Sequence, residues 1–101
     1  MFVISPLPGT VAVEATNSSV NAAITMPETA NGLYVVNTGS VRATIALGYG
    51  TAPTASLGTS GPTLPPGTAL LVETNNRLTH VAAIAASAGP HTVVFTPVRL
   101  P

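Results

Sequence analysis

Side chains capable of acid–base or nucleophilic chemistry are few in this chain. Three glutamates, Glu14, Glu28 and Glu73, are its only carboxylate side chains. Catalysis by a carboxylate pair needs two acids roughly 5–9 Å apart, but these glutamates fall on different predicted strands or loops. The only glycine-rich serine segment, residues 58–61 (GTSG), lacks the G-x-S-x-G spacing of a nucleophile elbow. We therefore predict that the chain is not an enzyme.

Two histidines, His80 and His91, are the remaining candidates for metal binding. If the strands that begin at them formed a hairpin, six residues would separate them, or about 20 Å at ~3.3 Å per residue. One ion cannot bridge that distance within a chain, although one histidine could still meet its copies at a rotation axis. Gly48-Tyr49-Gly50 lacks the third glycine of a dinucleotide fingerprint, and the chain has no lysine to reach a phosphate. We predict no metal, no cofactor and no small-molecule substrate.

The chain carries very few charges. Charged residues make up 6% of it and the formal net charge is zero, whereas about 25% is usual for soluble domains. Three scattered arginines cannot neutralise enough phosphates for nucleic-acid binding. So weakly charged a surface must be coated by Ser, Thr and Asn or covered by other proteins. We expect self-association and binding to a larger protein assembly.

The elements that position these residues are predicted to be strands. In 101 residues there is room for one domain with one core. Apolar and polar residues alternate, and turn residues recur at short intervals, which predicts an all-β, antiparallel β-sandwich, jelly-roll-like, with seven or eight short strands. Residues 33–47, with a turn at 38–40, are the clearest predicted hairpin. The alanine-rich segment 81–88 could instead form a short helix. Strands are predicted at 10–16, 19–25, 33–37, 41–47, 68–74, 80–86 and 91–96.

Two segments are expected to lie at the edges of this domain. Residues 1–9 are predicted to be an extended N-terminal arm, and residues 10–101 a single sandwich domain with a long loop at 48–67. The arm either adds a strand to a neighbouring subunit or forms an edge strand of its own sandwich. The loop is either a binding loop or packs on its own sandwich through a short strand near 54–57. The chain shows neither a signal-peptide pattern nor an apolar run near ~20 residues, so we expect synthesis in a cytoplasm and no membrane contact.

Candidate contact residues lie in the predicted arm, long loop, turns and C-terminal segment. Carbohydrate binding on a β-sandwich usually needs aromatic platforms. We place Tyr34 in the core, which leaves Tyr49 as a single exposed ring. The residues expected to contact partner proteins are apolar or cationic: Phe2, Ile4, Arg42, Tyr49, Pro53, Leu64, Pro65, Arg77, Arg99 and Leu100.

Four segments together resemble small virion proteins of tailed bacteriophages: LYVVNTG at 33–39, GYG at 48–50, LPPGT at 64–68 and THVAAI at 79–84. The four segments lie within residues 33–84. It implies a capsid cement (decoration) protein, commonly a homotrimer, that binds the major capsid protein on the outer surface of the virion head. It carries over no catalytic or ligand residue. Members often end in a glycine-rich tail, whereas this chain ends in 97–101 (PVRLP).

The mechanism expected from the sequence combines self-association with docking. Subunits would associate through Ala- and Val-rich sheet faces about a three-fold axis. The loop at 48–67 and both termini would bind the capsid lattice. Several weak contacts then act together at high effective concentration. The alternative function is a receptor- or glycan-binding β-sandwich module of a phage tail or head fibre.

Overall fold

A computed structural model describes residues 5–100, in which every regular element is a β-strand. The alanine-rich segment forms a strand, β8, because strands on both sides hold it in an extended conformation. Among residues 5–100 there is no helix with the length and hydropathy needed to span a membrane. The strands are β1 (Ser5–Pro6), β2 (Val11–Ala15), β3 (Val20–Ala23), β4 (Gly32–Asn37), β5 (Ala43–Gly48), β6 (Thr63–Leu64), β7 (Ala69–Glu73), β8 (His80–Ala85) and β9 (His91–Arg99).

The strands form two packed antiparallel sheets. In the first sheet the order is β1/β2–β9–β4–β7, where β1 and β2 pair with successive parts of β9 and share one edge position. In the second sheet the order is β3–β8–β5–β6. Each sheet therefore has four strand positions, and the predicted β-sandwich of short antiparallel strands is confirmed.

The pairing follows one long hairpin rolled on itself. Val11 lies opposite Phe95 and Ala43 opposite Leu64, so early residues pair with late ones and the tip of the hairpin falls at residues 49–62. The two arms then pair a second time, β4 with β9 and β5 with β8. Two sheets connected in this way have the strand order of a jelly roll.

The predicted hairpin at residues 33–47 is wrong, and the hairpin assumed for the two histidine strands does not form. β4 pairs with β7 and β9, whereas β5 lies in the other sheet, so the turn at 38–42 crosses the sandwich. β8 and β9 likewise lie in different sheets, although only residues 86–90 separate them. A short connection can join neighbours in one sheet or cross between two sheets, and the alternation of apolar residues is the same in both cases.

The core lies between the two sheets and is built mainly from aliphatic residues. The predicted inward faces of two strands are confirmed: Val13 and Ala15 of β2 and Ala43 and Ile45 of β5 are buried. Thr44 and Ala46 point outward, as predicted, yet they too are buried. Something other than the core must therefore cover the outer face of the second sheet. The largest fully buried core side chains are Phe95, Leu33, Ile45, Leu78 and four valines, Val13, Val35, Val81 and Val93.

Candidate functional site: one covered and one bare sheet face

The outer face of the second sheet is covered by residues 49–62, which we name the covering loop. Ala55 is only 3% exposed and packs with Ala46 and Ala82 of the sheet. The N–H of Gly58 donates to the Thr44 hydroxyl at 2.9 Å, and the N–H of Ala55 donates to the Ser19 hydroxyl at 2.8 Å. The covering loop thus crosses the sheet from β5 to the residue before β3. The strand predicted near 54–57 is absent from this described segment; the short strand is β6, which pairs with the start of β5.

Small residues let the covering loop lie flat on the sheet. A Cβ atom on Gly48 would collide with the carbonyl oxygen of Thr51, and one on Gly61 would collide with that of Ile45. Ala46 and Ala82 supply a shallow surface on which Ala55 rests. Much of the irregular segment predicted to bind partners is therefore occupied by contacts with its own sheet.

The outer face of the first sheet is left uncovered by the described chain, and we name it the bare face. Val94 of β9 lies at its centre, opposite Ala12 of β2 on one side and Val36 of β4 on the other. Ala69 of β7 continues this row beyond Val36. Ala12 and Ala69 are exposed and the valines are half-buried. The bare face comprises Ala12, Tyr34, Val36, Ala69, Leu71, Val94 and Thr96.

Charges lie only at the two ends of this face. At one end both carboxylate oxygens of Glu14 lie 3.0 Å from the hydroxyl of Thr92, which donates to them. At the other end is Glu73, the last residue of β7.

Strand spacing of ~4.8 Å and a rise of ~3.3 Å per residue give the bare face a footprint of about 300 Å². A standard interface buries about 800 Å² per partner, so a single contact through the bare face would be weak.

Leu100 closes the bare face at the end where Glu73 lies. The Asn31 side chain holds the Leu100 backbone, accepting its N–H at 2.6 Å and donating to its carbonyl at 3.2 Å. The Leu100 side chain lies over Gly32, where an added Cβ would be 2.9 Å from Leu100 Cδ1. Leu100, predicted to contact a partner, therefore packs against its own chain.

The other predicted contact residues are dispersed. Arg77 and Arg99 lie at the end of the sandwich near Glu73, while Arg42 and Pro65 lie in turns at the opposite end. All four are exposed. They form no single cluster and lie outside the bare face.

Three further predicted residues lie in or beside the covering loop. Tyr49 is 50% exposed, and its hydroxyl is 2.6 Å from that of Thr74. Pro53 is half-buried against Gly48. Leu64 is only 2% exposed and belongs to the core, so its side chain offers no surface to a partner. Phe2 and Ile4 lie outside the described residues, whereas residues 5–7 pair with β9 of the same chain.

Sequence reasoning missed the bare face and misplaced Tyr34. Tyr34 was predicted in the core, but it is half-buried on the outer face beside Leu71. The signal that was missed lies in β4, which reads Leu33-Tyr34-Val35-Val36 and so has large apolar residues on both of its faces. In an antiparallel sheet with one solvated face, alternate positions should be polar. Apolar residues on both faces of a strand indicate that the face turned away from the core is also suited to contact with another protein.

The two histidines take part in local hydrogen bonds. His80 Nδ1 is 2.8 Å from the Thr79 hydroxyl, and His91 Nε2 is 3.2 Å from that of Ser87. They lie in different sheets, so the hairpin that gave their predicted separation does not exist. Within residues 5–100, no three His, Asp or Glu side chains are grouped as metal ligands. The bare face is therefore the main candidate site in the described part of the chain.

Comparison with known proteins gives no further assignment: no family model matches the chain, and no curated protein matches it significantly.

Proposed function

We propose that this chain is a non-enzymatic structural protein of a virion, a cement protein that binds the major capsid protein on the outer surface of a bacteriophage head. The observation that carries the proposal is the bare face, a sheet surface with an uncharged apolar centre. One outer face of the sandwich is covered by its own loop, whereas residues 5–100 leave the other uncovered, so that it can lie against a different protein. An apolar surface of this kind is typical of a protein contact site.

Low charge supports the same function. With 6% charged residues and no net charge, a freely diffusing chain has little electrostatic repulsion to keep copies apart. A footprint of about 300 Å² is small for one stable complex. On a capsid lattice, however, many weak contacts act together at high effective concentration and resist expansion of the shell.

The proposed docking differs from the mechanism expected from the sequence. The covering loop is held on its own sheet by hydrogen bonds from Gly58 and Ala55, so we assign capsid docking to the bare face instead. The homotrimer implied by the resemblance remains a prediction, which native mass measurement tests.

A matched pair of arginine substitutions tests the docking surface. Ala12 lies on the bare face and Asn21 on the outer side of β3 in the other sheet; both are exposed. We expect Ala12→Arg to weaken binding to phage heads purified without this protein by at least roughly tenfold, because docking would bury an unpaired charge. Asn21→Arg adds the same charge and should bind normally. Co-sedimentation with heads measures both, and equal binding by the two variants contradicts the proposed surface.

The alternative function, a glycan- or receptor-binding module, has Tyr49 as its best candidate. Its ring is 50% exposed, and hydrogen bonding to Thr74 fixes its hydroxyl. Saturable glycan-array binding that is lost in Tyr49→Ala, together with unchanged head binding by Ala12→Arg, would favour this alternative over the cement function.

A further inference from the structure

The edge of the first sheet at β7 is open among the described residues. Proteins normally protect edge strands with proline, lysine, bulges or very short strands. β6 has only two residues, and the opposite edge of the first sheet begins with Pro6, Pro8 and Gly9. β2, on the opposite edge, likewise pairs only with β9. β7 is five residues long, reads ALLVE, and pairs only with β4 among the strands of residues 5–100. Its outer edge is available to another strand.

The hydrogen-bond pattern identifies which backbone groups face that edge. Asn37 donates its N–H to Thr68 at 2.9 Å, and Thr74 donates to Asn31 at 3.1 Å, at the two ends of the β4–β7 ladder. Residues directly opposite each other alternate between bonded and non-bonded pairs in an antiparallel ladder. Leu70 and Val72 therefore bond to β4, while the N–H and C=O groups of Ala69, Leu71 and Glu73 point outward.

We infer that β7 is the site at which a second copy of this chain adds in antiparallel orientation, about a two-fold axis through Leu71. In this arrangement Leu71 lies opposite the partner's Leu71, and the two exchange N–H···O=C bonds. Ala69 lies opposite the partner's Glu73 and bonds in the same way. An isologous contact of this kind requires a self-complementary surface, which β7 provides.

Side chains on both faces of β7 fit this pairing. Leu70 and Val72 point toward the core but are only half-buried because β7 is an edge strand. The partner's Val72 and Leu70 would cover them. The negative charges do not meet, since each Glu73 lies four residues, about 13 Å, along the ladder from the partner's Glu73. The arrangement thus buries apolar surface without opposing like charges.

The two bare faces would lie side by side in the joined sheet. Their combined footprint is about 600 Å², twice that of one copy. This surface is closer to the ~800 Å² per partner of a standard interface. The contact between copies does not depend on whether the protein that covers the combined face is a capsid protein.

Charge substitutions at residue 69 test the register of this contact. Ala69→Glu places a carboxylate opposite the partner's Glu73 twice in the dimer, whereas Ala69→Lys places an opposite charge there. Each changes the net charge of the monomer by one unit. We expect Ala69→Glu to raise the dimer dissociation constant roughly 3- to 30-fold relative to Ala69→Lys. The double variant Ala69→Glu, Glu73→Lys should restore association. Sedimentation velocity and native mass spectrometry at concentrations up to about 1 mM measure the constants.

A second pair of variants tests the backbone bonds. Leu71→Pro removes an N–H that β4 does not use, whereas Leu71→Ala removes more of the side chain but keeps that N–H. We expect Leu71→Pro to associate at least roughly tenfold more weakly than Leu71→Ala. Thermal unfolding checks that each variant folds. If Leu71→Pro does not fold, the comparison of Ala69→Glu with Ala69→Lys still tests the inference.

Three results would overturn the inference. One is a wild-type protein that stays monomeric to about 1 mM. Another is equal association of Ala69→Glu and Ala69→Lys. The last is a homotrimer whose stability is independent of the sign of the charge at residue 69, because a two-fold contact gives pairs of copies.

Discussion

Asn37 shows how one polar side chain fixes a crossing between the sheets. It is fully buried, and its amide nitrogen donates to the carbonyls of Val41 at 2.9 Å and Leu64 at 3.0 Å. Its amide oxygen accepts the N–H of Gly39 at 3.0 Å. The side chain thus connects the end of β4 to the turn at 38–42 and to β6. A buried polar group is tolerated in a core only when it is hydrogen-bonded in this way.

We expect Asn37→Ala to lower the free energy of unfolding by roughly 2–4 kcal/mol, because two carbonyls lose their donor and a cavity forms. Thr38→Ala is the control, since its exposed hydroxyl makes one bond, to the Thr92 carbonyl at 2.9 Å, and should cost about 1 kcal/mol or less. Urea unfolding at equilibrium measures both. Similar losses in the two variants would contradict this role of Asn37.

The covering loop is the element whose role the sequence left most open. It contains no regular strand, yet its backbone is bonded to hydroxyls of the sandwich, including those of Thr44 and Ser19. The Thr44 hydroxyl also lies 2.8 Å from that of Thr63 in β6. One side chain therefore connects the covering loop with the edge strand that follows it. Loss of this hydroxyl should loosen the covering loop before the sandwich itself unfolds.

We expect Thr44→Val to speed amide exchange at Gly58 by roughly 5- to 100-fold, because its N–H loses an acceptor worth about 1–3 kcal/mol. Thr63→Val removes the other hydroxyl of the pair but leaves Thr44 free to accept from Gly58, so exchange at Gly58 should change little. Hydrogen exchange followed by NMR measures both variants. Equal acceleration in the two would show that the Thr44–Gly58 bond does not hold the covering loop.

At the scale of the whole molecule, nearly every strand pairs with one far away in the sequence. β2 pairs with β9 and β3 with β8, so large loops must close before these contacts form. Folding slows as contacts become less local, since the loss of chain entropy precedes the gain from contact. A rolled hairpin is therefore expected to fold slowly for its size.

We expect the fastest refolding phase to have a relaxation time between about a millisecond and seconds in dilute denaturant. Stopped-flow far-ultraviolet circular dichroism after dilution from urea measures it, at several protein concentrations so that any association step is recognised. Complete refolding within microseconds would mean that local structure, not long-range pairing, limits the rate.

The sequence by itself determined the fold class, the positions of most strands and the inward faces of β2 and β5, because these follow from the two-residue period of a strand. The low charge of the sequence and its lack of catalytic patterns also led to the proposal of a structural protein. Only the tertiary structure decided that residues 33–47 and 80–96 cross between sheets, and that the segment from 49 to 62 covers its own sheet. The position of the bare face was also decided there, although the apolar residues on both faces of β4 indicated a second contact surface. The alternation of apolar and polar residues predicts which residues share a face of a strand. Which faces pack together depends on contacts between residues far apart in the chain.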